Sequence, residues 1–266
     1  MENLLEIQNV CLTYHSPASE TEALKELNLS IKEGEFISIV GPSGCGKTTI
    51  LSLIAGILKP TSGNIFIRGE KIEKPGFHTG YMFQRDNLFE WLNIWKNVTL
   101  GLNFKKRNNE ENKSYAKELI EKYGLGEFIR HYPTELSGGM RQRVALIRTL
   151  CLKPDLLLLD EPFSALDYQT RLNVQDDVSL VIKKEKKTAI LVTHDISEAI
   201  AMSSKIIVLT PRPATIKSII TLDFDPKLTP FERRKEKSFN TYFNKVWEEL
   251  VWKNKSKTIQ FLIKNI

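Results

Sequence analysis

Two hydrophobic periods divide this chain. Leu4 to Tyr14 (LLEIQNVCLTY) and Leu27 to Ile31 (LNLSI) alternate with a period of two, which predicts strands joined by a polar loop containing Pro17 and Ser19. Gly63 to Gly69 predicts a further strand that closes the same antiparallel layer. Phe36 to Val40, Leu156 to Asp160 and Ala189 to His194 are instead continuous apolar runs, the pattern of strands buried on both faces of a parallel sheet. Thr79 to Gln84 returns the chain to that sheet, with Gln84 at its end. From Asp86 to about Pro154 a helical period takes over, in Asn93 to Phe104, Lys113 to Leu125 and Ser137 to Leu152, and predicts a helical lobe inserted in the core. The charged stretch 105 to 112 (KKRNNEEN) reads as a surface loop within it. Phe239, Phe243, Val246 and Leu250 predict an amphipathic terminal helix packed on the core, and KNKSK beyond it reads as a loose tail.

The chemistry begins where the run Phe36 to Val40 stops. Gly41 to Thr48, GPSGCGKT, fits the G-x-x-x-x-G-K-[ST] phosphate loop at every fixed position, with a strand before it and a helix after it, Thr48 to about Leu58. Glycines 41, 44 and 46 let successive N–H groups turn inward as a nest for phosphate, at the positive end of the helix dipole. Lys47 is expected to reach the β- and γ-phosphates and the Thr48 hydroxyl to ligate Mg²⁺. The alternative is a glycine-rich turn of no function. Cys45, beside Lys47 and a helix start, is expected to carry a lowered pKa and to react with thiol reagents, whereas Cys11 and Cys151 sit in apolar patterns and should be buried. Tyr14, at the end of the first strand, offers a flat face for an adenine ring, or is an ordinary strand-end tyrosine.

Two more stretches depart from good helix or strand building. The helix that opens Leu136-Ser137-Gly138-Gly139-Met140 places two glycines in its first turn, at about 1 kcal/mol each against alanine. That implies a close backbone approach, and Ser137 with free N–H groups suggests a second phosphate site; packing alone is the other reading. In the same helix Arg141, Arg143 and Arg148 lie off the apolar stripe, so one face packs and the other is basic. Asp160 ends a buried strand where α/β sheets bind ligands and is placed to hold Mg²⁺, while Glu161 points elsewhere and is free to orient a water. His194 ends a core strand on the same edge; His15, His78 and His131 are read as structural or exposed.

Composition narrows the class without naming it. At 266 residues one domain of several lobes is expected. No apolar run approaches the roughly 20 residues that span a bilayer, and MENLLEIQ has no signal-peptide regions, so the chain is expected to be soluble and cytoplasmic. Three scattered cysteines suggest neither disulfides nor zinc. The net charge of +6 and pI near 9.0 come from dispersed lysines, which argues for solubility and against a nucleic-acid partner.

Taken in order, these stretches resemble the ATP-binding subunits of ABC transporters over roughly residues 4 to 222. The residues that carry the resemblance are Tyr14, GPSGCGKT 41 to 48, Gln84, LSGGMRQR 136 to 143, LLLLDEP 156 to 162, SALD 164 to 167 and His194. It implies a P-loop NTPase, RecA-like α/β fold: a mostly parallel sheet core, an antiparallel β layer and an inserted helical lobe at about 86–154, with residues 1–222 as the ATPase domain and 223–266 as a helical extension and tail. It also implies a head-to-tail homodimer that holds ATP and Mg²⁺ at shared sites. Residues 41 to 49, from Gly41, Pro42, Ser43, Gly44, Cys45 and Gly46 through Lys47, Thr48 and Thr49, would hold the nucleotide with Tyr14. Thr48, Gln84 and Asp160 would hold Mg²⁺, Glu161 would activate water and His194 would contact the γ-phosphate. Ser137, Gly138, Gly139 and Met140 would close on that phosphate from the second subunit, with Asp167 coupling the two sites. LSGGM, LFEWLNIWKNVTLGL 88 to 102 and TPRPATI 210 to 216 look like the branch importing nitrate, sulfonates, taurine and bicarbonate. Met140, where glutamine is commonest, and Glu90, where proline is usual, are departures. A separate membrane permease, docking near Gln84 and Trp91, and indirectly a solute-binding protein are the implied partners, at the cytoplasmic membrane face. The alternative is a cytosolic ABC-type ATPase outside transport; the coiled-coil insertions and tandem duplications of such proteins are not present in this sequence.

Overall fold

The continuous apolar runs lie at the centre of a mostly parallel sheet, in a computed structural model that describes residues 3–16, 19–76, 78–103 and 108–251. In chain order the strands are β1 (Asn3–Ser16), β2 (Ser19–Lys32), β3 (Phe36–Val40), β4 (Ser62–Ile67), β5 (Glu70–Lys71), β6 (Thr79–Met82), β7 (Leu156–Asp160), β8 (Thr188–Val192), β9 (Lys205–Leu209) and β10 (Ile216–Thr221). The helices are α1 (Lys47–Ile54), α2 (Ile94–Asn103), α3 (Glu110–Lys122), α4 (Gly138–Leu150), α5 (Tyr168–Lys184), α6 (Ile196–Met202), α7 (Pro230–Arg233) and α8 (Lys237–Leu250). The main sheet has the order β10-β9-β3-β8-β7-β6, parallel except for β10. A second sheet, β2-β1-β4-β5, is antiparallel throughout.

The polar-free runs are explained by what covers each face. Leu156 and Leu158 of β7, with Ile190 and Val192 of β8, enter a core shared with α1 and the antiparallel sheet. Leu157 and Leu159, with Ala189 and Leu191, enter a second core built with α2, α3, α4 and α5. Both faces are dry, so apolar side chains fill both positions of the alternation along most of these strands. The helical lobe is part of that second core, through Ile94, Val98, Leu119, Ile120 and Ile147. Helix α8 lies where its pattern predicts, with Phe239 and Val246 buried in a third cluster that also holds Val40, Ile200, Val208 and Phe224.

Strands β6 and β8 stop at Met82 and Val192, so Gln84 and His194 each lie two residues past a strand instead of ending it. Three larger boundary differences have local causes. Strand β2 begins at Ser19 and extends through much of what reads as loop, because Asn9 (φ 49°) and Glu26 (φ 45°) fall at irregularities that shift the β1–β2 register and break the period of two. Helix α1 ends at Ile54, not near Leu58: Gly56 turns the chain at φ +72°, where a Cβ would sit 2.5 Å from the Lys74 carbonyl carbon. Helix α3 starts inside the charged stretch, because Asn109 caps it by accepting the Asn112 N–H (2.9 Å) and Glu110 and Glu111 suit its positive end. Pro17, residues 105–107 and the KNKSK tail lie outside the described residues. Among the described residues no helix is long and apolar enough to cross a membrane.

Candidate active site

The phosphate loop leaves β3 at Val40 and enters α1 at Lys47. Gly44 (φ +72°) and Gly46 (φ +116°) take backbone angles closed to most side chains, so the loop's sharp turns require glycine there. Lys47 is buried and its Nζ donates to the carbonyls of Gly41 (2.9 Å) and Pro42 (3.0 Å). Pro42, Ser43 and Gly44 form the crest, and the Arg212 Nη2 donates to the Gly44 carbonyl (2.6 Å) from the Arg-Pro turn after β9. Tyr14 on β1 sits beside α1, with its hydroxyl 3.2 Å from the Thr49 hydroxyl.

Cys45 overturns its expectation. Its side chain is 1% exposed, tucked beneath the loop so that a Cβ on Gly41 would lie 2.9 Å from its sulfur. Burial pushes the thiol up, against the pull of the Lys47 charge, so the thiolate is disfavoured. Cys151 is buried, with its thiol pushed up to about 11 by burial, whereas Cys11 is only half-buried and accepts the Glu26 N–H (3.2 Å).

Across the strand ends stand the acidic groups. Thr48 Oγ1 donates to Asp160 Oδ1 (3.1 Å), and the Tyr81 hydroxyl donates to Asp160 Oδ2 (3.0 Å). Burial raises the Asp160 carboxyl above its ordinary value despite those two donors. Glu161 holds a positive φ of 46°, unusual for a side chain with a Cβ, and its Oε2 lies 3.0 Å from His194 Nδ1. Glu161 is therefore tied to the histidine instead of free. Gln84, two residues past β6, donates to Ser164 Oγ (3.2 Å), and that hydroxyl donates to the Glu161 carbonyl (3.0 Å). Gln84 is thus joined to the turn after β7, not to the Thr48–Asp160 pair. Asp160 ends β7, and Lys47, Thr48, Glu161 and His194 follow the C-terminal ends of β3, β7 and β8, adjacent parallel strands, which is where such sheets take ligands.

Ser137, Gly138, Gly139, Met140 and Asp167 form a separate group. Ser137 caps α4 by accepting the Met140 N–H (3.3 Å). The glycines pack closely within the chain: a Cβ on Gly139 would lie 3.0 Å from Val174 Cγ2 of α5, and one on Gly138 would lie 3.1 Å from Leu166 Cδ2. Close helix–helix approach is accordingly one reason for them. Asp167 is exposed and caps α5 by accepting the Thr170 N–H (3.0 Å); hydrogen bonds from Thr170 hold its carboxyl below the usual range. Among the described residues no hydrogen bond or ion pair links this group to Lys47, Thr48, Asp160 or Glu161.

The basic face of α4 is engaged, not solvated. Arg141 pairs with Asp86 (2.9 Å), and Arg148 donates to the carbonyls of Asp86 (2.6 Å) and Asn87 (2.7 Å), so α4 grips the segment just after Gln84. Burial would raise the Asp86 carboxyl, but the Arg141 and Leu88 donors outweigh it and hold it low. Sequence reasoning missed Asp86, Tyr81 and the contact of Arg212 with the loop. Of these, only the Arg-Pro turn itself gave a signal.

With this geometry in place, comparisons with known proteins give the family. The model of the ABC transporter family matches residues 24–164. An ABC transporter ATP-binding protein of Bacillus subtilis is 47% identical over 249 residues, covering 93% of this chain and 96% of that one. A taurine import ATP-binding protein of Ruegeria pomeroyi is 43% identical over 213 residues, 80% of each. The dimeric structure of an ATP-binding cassette in a post-hydrolysis state, bound to ADP and phosphate, superposes with a TM-score of 0.70 at 34% identity, over 83% of this chain and all of that one. The chain belongs to the ABC transporter family and carries that family's ATP-binding, ATPase domain.

Proposed function

We propose that this chain hydrolyses ATP as the energising subunit of an importer for a small solute of the nitrate, sulfonate or taurine class, working on a separate permease at the cytoplasmic membrane face. The carrying observation is the convergence of Lys47, Thr48, Asp160, Glu161 and His194 at three adjacent strand ends. The import role and its solute class are supported by the taurine import relative and by the stretches 88 to 102 and 210 to 216. Trp91, 73% exposed beside Phe89, suits a docking surface near Gln84 for the permease, which a solute-binding protein would load. In this reading residues 1–222 are the ATPase domain, with its helical lobe at about 86–154, and 223–266 extend it.

The residues fit the substrate and its cation. Lys47 exchanges the Gly41 and Pro42 carbonyls for the β- and γ-phosphate oxygens, and the glycine turns of the loop leave its amides facing phosphate. Thr48 and Asp160, hydrogen-bonded to each other, carry oxygens of the kind Mg²⁺ takes and would hold it, with Gln84 as a third ligand if it left Ser164. Mg²⁺, when bound, neutralises charge shared by the two terminal phosphates. Glu161 takes the proton of the attacking water, and its bond to His194 Nδ1 leaves Nε2 of that ring for the γ-phosphate. Tyr14 lies on the adenine side. Ser137, Gly138, Gly139 and Met140, which stand apart from this group, act on the nucleotide of a second copy in a head-to-tail dimer, and Asp167 couples the two sites; the dimeric cassette neighbour supports that assembly.

Glu161→Gln tests the reading. General-base catalysis contributes about 10²- to 10⁴-fold, so turnover should nearly vanish while ATP binding persists and an ATP-bound dimer accumulates on size exclusion. Hydrolysis within about threefold of wild type would overturn the role of Glu161, and recovery of no membrane permease with the tagged chain would overturn the importer role.

A further inference from the structure

We propose that the crevice between the end of α5, the start of β3 and residues 226–233 binds a small amphiphilic anion, an apolar body ending in a carboxylate, sulfonate or phosphate. The crevice encloses about 530 Å³, within the range of small-molecule sites. It opens at Phe36, the first residue of β3, whereas the phosphate loop follows the last; the sheet separates the two. It is therefore not an extension of the nucleotide site.

Its lining joins two chemistries. Phe36, Ile182 and Met202 supply an apolar floor. Lys183, Lys186, Lys187 and Arg233 supply four cations, and among the described residues no ion pair joins any of them to a carboxylate. Lys183 donates to the carbonyls of Pro226 (3.0 Å) and Leu228 (3.2 Å), and Lys187 to that of Pro154 (2.8 Å), so their charges are not neutralised. Glu33 on the rim is taken by Arg68 (2.6 Å). Asp176, Asp225 and Glu232 act on Lys183 from a distance. Arg233 is 8% exposed, its Nη1 donates to the carbonyls of Ala201 and Ser203, and its guanidinium lies over the Phe224 ring (5.4 Å), so it adds positive charge behind the crevice wall. Three ammonium groups around a hydrocarbon floor, with the charge of Arg233 behind them, match an oxyanion head on an apolar body. This site stands whether or not the chain serves an importer.

Calorimetry on the full chain with 1-hexanesulfonate, hexanoate, hexanol and inorganic sulfate is the test. One equivalent of hexanesulfonate or hexanoate should bind, at least tenfold tighter than hexanol or sulfate, with MgATP failing to compete. Lys183→Gln with Lys186→Gln should weaken binding at least tenfold with an unchanged circular dichroism spectrum; Lys186→Glu alone, on the exposed rim, should do the same if the double variant does not fold. No saturable binding up to about 10 mM, equal binding of hexanol, competition by MgATP, or unchanged affinity in the folded lysine variants would each overturn the site.

Discussion

Replacing Glu198 by glutamine should stabilise the protein at alkaline pH and do far less in acid. Glu198 lies in α6, four residues after His194, and is 4% exposed, with Oε1 accepting from Gln175 Nε2 at 2.8 Å. Burial, only partly offset by hydrogen bonds from Thr193 and Gln175, pushes its carboxyl up from 4.5 to about 7, and the like charge of Asp195 adds to it. The folded value exceeds the unfolded one, so between 4.5 and about 7 the native chain holds more protons than the unfolded chain, and stability falls as pH rises through that window. At 1.36 kcal/mol per pH unit the whole displacement amounts to about 3 kcal/mol, all of it expressed above pH 7. At pH 5, just above the unfolded value, the difference is about 1 kcal/mol or less. Glutamine keeps the shape and the oxygen that Gln175 donates to, but never ionises. Urea unfolding of both proteins at pH 5 and pH 8 should therefore show a gain of about 3 kcal/mol at pH 8 that shrinks to about 1 at pH 5. Equal gains at the two pH values, or a loss at pH 8, would refute the reasoning.

Three further outcomes follow from the geometry. Ser137→Arg and Lys47→Ala should each be inactive alone, and their mixture should recover ATP-driven dimerisation through one intact shared site, measured by light scattering; failure of every mixture to dimerise would rule out the two-subunit site. Maleimide applied to the native protein near pH 7 should label half-buried Cys11 well before buried Cys45, read by mass spectrometry, and faster labelling of Cys45 would contradict its raised pKa. Arg141→Ala should destabilise by about 1–2 kcal/mol, because it leaves the partly buried Asp86 short of its charged donor, and an unchanged urea midpoint would show that the Arg141–Asp86 pair does not hold the segment after Gln84.

What the sequence determines here is local and short in range. The phosphate loop is legible because its glycines and lysine lie within eight consecutive positions, and the strand before it because four apolar residues out of five, three of them β-branched, admit few other structures. The runs ending at Asp160 and Val192 are legible for the same reason, and they place Asp160, Glu161 and His194 on one edge once the sheet is parallel. The amphipathic terminal helix follows from spacing alone. The tertiary structure decides whatever depends on which distant segment arrives. Cys45 looks accessible in a loop, yet Gly41 and Leu209 close over the site where its side chain lies. The glycines at 138 and 139 look like a ligand site, and α5 and its preceding turn pack where their Cβ atoms would be. The arginines of α4 look solvated until residues 86 and 87 fold beneath them. Tyr81 carries no signal in its own strand, because its partner Asp160 is 79 residues away. Periodicity records which face of an element is dry, and it does not record what covers that face, because the contacts that do so join positions far apart in the chain.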